Sequence, residues 1–76
     1  MDIQKRISTD PNVLLGKPVI TGTRISVELI LKKMGEGADY NKILEMYPGL
    51  EMEDVLAVLQ YASKIISNDL PIDSAA

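Results

Sequence analysis

The sequence predicts a mainly α domain, three helices arranged behind a short N-terminal β-hairpin or extended arm. Apolar residues recur at helical spacing in three successive segments after Ser26. Glycine and proline punctuate the gaps between those segments, at Gly35, Gly37 and Pro48-Gly49. Before Ser26 the chain offers only brief extended pieces broken by Asp10-Pro11-Asn12 and Thr21-Gly22.

Residues 3–8 alternate Ile3, Lys5 and Ile7 with Gln4, Arg6 and Ser8, a short-strand signal. Val13-Leu14-Leu15 is a short apolar anchor. Val19-Ile20 and Arg24-Ile25 are extended pieces on either side of the Thr21-Gly22 turn, and the first strand is expected to pair near Arg24. Pro18 fixes its own φ and pushes Lys17 toward an extended conformation. Gly22 supplies a turn where a side chain is costly. Gly16, Pro18, Gly22 and Thr23 are therefore candidate structural residues.

Ser26 is suited to cap the first helix, with Glu28 near its positive end and Lys32 and Lys33 near its negative end. Val27, Ile30, Leu31 and Met34 form its inward stripe. Asp39 caps the second helix, whose Tyr40, Ile43, Leu44 and Tyr47 repeat that spacing. The third begins near Met52 and runs to about Ser67. Met52, Val55, Leu56, Leu59 and Ile66 form its inward face; Glu53, Ala57, Gln60 and Lys64 face solvent. Val58, Tyr61 and Ile65 make a second apolar arc, which requires a cover. Either Val13–Leu15 of the same chain or a partner chain supplies it. The domain is expected to span residues 1–67, with the arm at 1–25 and a mobile tail at 68–76.

A chain of 76 residues holds one small core. It contains no cysteine, histidine or tryptophan, which removes disulfides, thiolate or imidazole zinc sites, and Ser-His-Asp chemistry. No enzymatic role, metal or cofactor is expected. No run reaches membrane-spanning length and no signal-peptide core follows Met1, so a cytoplasmic protein is expected. The net charge of −3 divides unevenly, +3 over residues 1–33 and −6 over residues 34–76, which suggests two surfaces for two partners.

The glycine segment does not form a phosphate cradle: Gly22 is followed by Thr23-Arg24, and Pro18 withholds a donor. Glu51, Glu53 and Asp54 favour the start of the third helix without any cation. The second and third helices have a helix-turn-helix layout, but those carboxylates would face phosphate. Lys5, Arg6, Lys17 and Arg24 are the better nucleic-acid candidates. Lys32 and Lys33 fit the helix C-terminal role more simply.

Asp10-Pro11, Gly16-Lys17-Pro18-Val19-Ile20, Gly22-Thr23-Arg24-Ile25, Val27, Gly37, Tyr47-Pro48-Gly49-Leu50, Glu53-Asp54-Val55, Leu59 and Tyr61-Ala62 together resemble the domain of unknown function 433 family. The resemblance covers roughly residues 3–66. It implies a homeodomain-like three-helix protein and a VapB-like antitoxin that binds a PIN-like ribonuclease and represses its own operon as a homodimer bound to operator DNA. A stand-alone DNA-binding regulator is the alternative. Arg24 is a candidate charge competitor for the acidic metal site of such a nuclease, with Val58, Tyr61 and Ile65 as further partner-binding candidates. Where the family often has Thr or Ser this chain has Glu51, a poorer cap and a more acidic edge.

Overall fold

The computed structural model describes residues 2–69. A single helical turn, α1 (Ile3–Arg6), leads directly into β1 (Ile7–Ser8). A loop with a 3-10 turn at Leu14–Gly16 returns the chain to β2 (Val19–Ile20). The strands pair antiparallel, Ile7 opposite Ile20 and Ser8 opposite Val19. Three principal helices follow: α2 (Val27–Gly35), α3 (Tyr40–Met46) and α4 (Met52–Asp69). The protein is thus mainly α, three helices with a short two-stranded hairpin at the N-terminal end.

Two local expectations need correction. Residues 3–6 are helical rather than extended, because Ile3 and Ile7 satisfy an i, i+4 spacing as well as an alternating one. β1 pairs with Val19–Ile20 and not with the segment around Arg24. The chain turns back at Thr21-Gly22, so that Ser26 bridges Val19 on the other side. Thr23 N–H donates to Ile20 O at 2.9 Å, and Gly22 holds φ 82° at the third turn position. The Thr23 hydroxyl donates to Ile20 O at 2.7 Å and accepts from Ile25 N–H at 3.0 Å.

The expected caps are present. Ser26 Oγ accepts from Leu29 N–H at 2.9 Å, and Asp39 Oδ1 accepts from Lys42 N–H at 2.9 Å. α2 ends in a Schellman arrangement: Ala38 N–H reaches Lys33 O and Gly37 N–H reaches Met34 O, both at 3.0 Å, with Gly37 at φ 112°. α4 starts at Met52 despite Glu51, because Asp54 supplies the returning half of a capping box. Its Oδ2 accepts from Glu51 N–H at 2.8 Å.

The core forms where α4 packs against α1, β1, α2 and α3. Ile30, Ile43, Val55 and Val58 are fully buried, joined by Ile7, Ile20, Val27, Leu50 and Ala57. Val58 therefore belongs to the core and not to a partner-facing arc. Ala57, expected in solvent, is fully buried, whereas Met52 and Ile66, expected inside, are exposed. Because α4 has neighbours on several sides, its buried arc is wider than one helical stripe and displaced from the expected one. α4 also continues through Asp69, two residues beyond its expected end; residues 70–76 of the expected tail lie outside the described residues.

Candidate partner-binding surface

Two grooves flank the first turns of α2, with Glu28 on the ridge between them. The first is a volume of about 350 Å³ lined by Pro18, Val27, Leu31, Tyr61, Ala62, Ile65 and Ile66 besides Glu28. Tyr61 and Ala62 are half-buried, while Ile65 and Ile66 are 40% and 50% exposed. The Val13–Leu15 anchor does not cover this arc: Leu15 is 95% exposed on the far side of the ridge. Tyr61 and Ile65 thus stay partly exposed at this groove, without Val58.

The second groove, about 530 Å³, is lined by Leu14, Leu15, Lys17, Arg24, Leu29 and Lys32 together with Ser26 and Glu28. Its leucine wall has an unusual backbone. Leu14 (φ 49°), Leu15 (φ 59°) and Gly16 (φ 85°) lie consecutively in the left-handed region. That conformation is natural for Gly16 and costs a branched L-residue about 1–2 kcal/mol. The turn is held by Gly16 N–H to Val13 O at 3.0 Å and Lys17 N–H to Leu14 O at 3.2 Å. Lys17 Nζ contacts Glu28 Oε1 at 2.8 Å. That lysine holds the Glu28 carboxyl below its ordinary pKa, with a smaller coulombic contribution from Lys32.

The structure separates the four basic candidates. Lys17 and Arg24 share the second groove, while Lys5 and Arg6 line a separate depression of about 600 Å³ with Asp2, Thr21 and Glu53. Arg6 is committed within the molecule. Its Nη1 donates to Asp54 Oδ1 at 2.9 Å and to Glu51 Oε1 at 3.3 Å. The Asp54 hydrogen bond foremost, opposed by desolvation and aided by Glu51, raises the guanidinium pKa further above its ordinary value. Arg6 therefore fastens α1 to the start of α4, and its charge is shared with two carboxylates of this chain. Arg24 and Lys32 make no side-chain hydrogen bond or ion pair among the described residues. Among those residues no cluster of three or more carboxylates is placed to hold a metal ion, and no helix is long and apolar enough to cross a membrane.

The model of a protein family of unknown function, DUF433, matches residues 7–62, which takes in both grooves except their edges at Ile65 and Ile66. The chain belongs to the DUF433 family. A crystal structure of a DUF433 member from Anabaena variabilis ATCC 29413 superposes with a TM-score of 0.77 at 34% identity, over 82% of this chain and 61% of that one. The chain is also 30% identical over 56 residues to the uncharacterized protein y4eO of Sinorhizobium fredii (strain NBRC 101917 / NGR234). That match covers 74% of this chain and 25% of y4eO, so the chain spans a quarter of that relative's length.

Within this DUF433 chain the structural candidates keep their roles. Gly16 and Gly22 hold positive φ, Thr23 closes its turn, and Pro18 O accepts from Val27 N–H at 3.0 Å while its ring lines the apolar groove. Sequence reasoning missed Leu14, Leu15, Leu29 and Lys32 as neighbours of Arg24. Only the breaker-flanked Val13-Leu14-Leu15-Gly16 run signalled an apolar loop, and no local pattern places it against α2.

Proposed function

We propose that this DUF433 protein is the antitoxin of a bacterial type II toxin–antitoxin pair, a non-enzymatic protein that binds and silences a PIN-like ribonuclease. The observation that carries the reading is the apolar groove beside α2, where Tyr61, Ala62, Ile65 and Ile66 meet Pro18 and Leu31 with little polar surface. An apolar lining of this kind, with an aromatic residue, resembles the core of a protein–protein interface. Arg24, which makes no ion pair among the described residues, is available as a charge competitor for a carboxylate-rich metal site.

Nucleic acid is the less favoured partner. Glu51, Glu53 and Asp54 crowd the start of α4, the end a recognition helix would present, and Arg6 is held there by two of them. A homodimer through the Tyr61–Ile65 groove is the competing use of the same surface. Co-expression with the product of the adjacent reading frame tests the proposal. A co-purifying complex with suppressed RNA cleavage is expected, weakened by Tyr61→Asp. No complex, or undiminished cleavage in the presence of excess chain, overturns it. A sedimentation shift to dimer, abolished by Tyr61→Asp without any capture of a nuclease, assigns the groove to self-association.

A further inference from the structure

The antitoxin reading uses Arg24 of the second groove but neither its leucine wall nor Lys32. One wall is aliphatic, built from Leu14, Leu15 and Leu29. The rim is cationic, with Lys17, Arg24 and Lys32 facing a single carboxylate, Glu28, already engaged by Lys17. The lining therefore carries three positive charges against one negative beside leucine surface. We propose that this groove receives an acidic polypeptide segment whose carboxylates are spaced by apolar side chains.

Charge complementarity selects the sign of the occupant: Arg24 offers a planar fork to a carboxylate and Lys32 a mobile ammonium. The leucine wall selects its second property. A purely charged strand would leave Leu15, which is 95% exposed, in water, whereas an apolar side chain between two carboxylates would cover it. Nucleic acid fits less well. The groove has no aromatic residue on which a base could stack, and the whole chain is net negative. The wall is also ready-made. Hydrogen bonds from Gly16 and Lys17 back to Val13 and Leu14 hold the left-handed turn that turns Leu15 outward, so little ordering remains on binding.

The proposal deepens the antitoxin reading by naming a second docking site and its ligand chemistry, and two arms of one experiment separate the two claims. In the first arm, isotope-labelled protein is titrated with a short peptide of alternating glutamate and leucine. Expected are amide shifts confined to residues 13–17, 24 and 29–32, with affinity reduced about tenfold by Leu15→Ser or by Arg24→Glu. Leu15→Ser alters an exposed side chain and leaves the fold intact, so its effect reports on the groove. No shifts there, equal shifts with a lysine–leucine peptide, or shifts produced there only by a DNA duplex overturn the proposal. In the second arm, Arg24→Glu with Lys32→Glu is co-expressed with the nuclease. Capture undiminished from wild type removes the groove from that complex and leaves the antitoxin reading standing. Peptide binding in the groove with no nuclease captured by the wild type does the reverse.

Discussion

Replacing Val58 by alanine tests the central correction, the assignment of this residue to the core and not to a partner-facing arc. The Val58 side chain is fully buried, whereas Ile65, two turns further along α4, is 40% exposed. Val58→Ala removes two methyl groups, worth about 1.6 kcal/mol at roughly 0.8 kcal/mol per buried carbon. A residual void of about 40 Å³ adds about 1 kcal/mol at ~24 cal/mol per Å³. The expected loss is about 2.5 kcal/mol, set against a total of about 4–11 kcal/mol for a chain of this length. A midpoint lowered by about 10–20 °C follows. Ile65→Ala, which deletes more carbon from a partly solvated site, costs only about 1 kcal/mol. Urea titration followed by helical circular dichroism measures both. At a temperature where each variant is folded, Ile65→Ala weakens nuclease capture and Val58→Ala does not. A Val58→Ala cost below about 0.5 kcal/mol, or a loss of capture by the fully folded variant, would refute the assignment.

Asp54→Ala removes the acceptor for Glu51 N–H and frees Arg6, so a loss of about 1–2 kcal/mol is expected by the same titration, with early amide exchange at the start of α4. Gly22→Ala forces a Cβ into φ 82°, at about 1–2 kcal/mol, although no atom lies within 4 Å of the added carbon; thermal melts compare it with the permissive Gly49→Ala. Leu15→Gly relieves left-handed strain and raises stability by up to about 1 kcal/mol while weakening the acidic peptide, a trade visible by melting and titration in parallel. Because Lys17 depresses the Glu28 pKa in the folded state, the pair contributes stability above the ordinary glutamate range. That contribution fades as pH falls through the lowered folded value. Glu28→Gln flattens this acid dependence, and added salt weakens it, since both side chains are mostly exposed.

The elements legible in the sequence are those written in local chemistry. Ser26, Asp39 and Gly37 mark helix ends through contacts three to five residues away, and the α2 and α3 stripes face one core direction. What escaped depends on distance along the chain or on geometry that residue type conceals. Arg6 meets partners 45 and 48 residues away, so its basic character alone suggested phosphate. Periodicity misplaces the phase of α4, because it finds an apolar arc without revealing how many neighbours cover it. Leu14 and Leu15 occupy a backbone region that leucine rarely enters, so no propensity argument points there. Of the candidate surface, Tyr61, Ile65 and Arg24 were readable as apolar or charged residues needing a cover or a partner. The groove around Arg24 was not, because three separate segments build it.

The divided carboxylate of Asp54 also bears on the order in which the chain assembles. One oxygen serves its own helix three residues back; the other holds a guanidinium from the opposite end of the domain. The first bond forms with the local nucleation of α4. The second must close a long loop and gains nothing until α2, α3 and α4 have met. Docking of the N-terminal turn after the folding barrier is therefore the expected order, and substitutions at Arg6 should then change the unfolding rate with little effect on the folding rate.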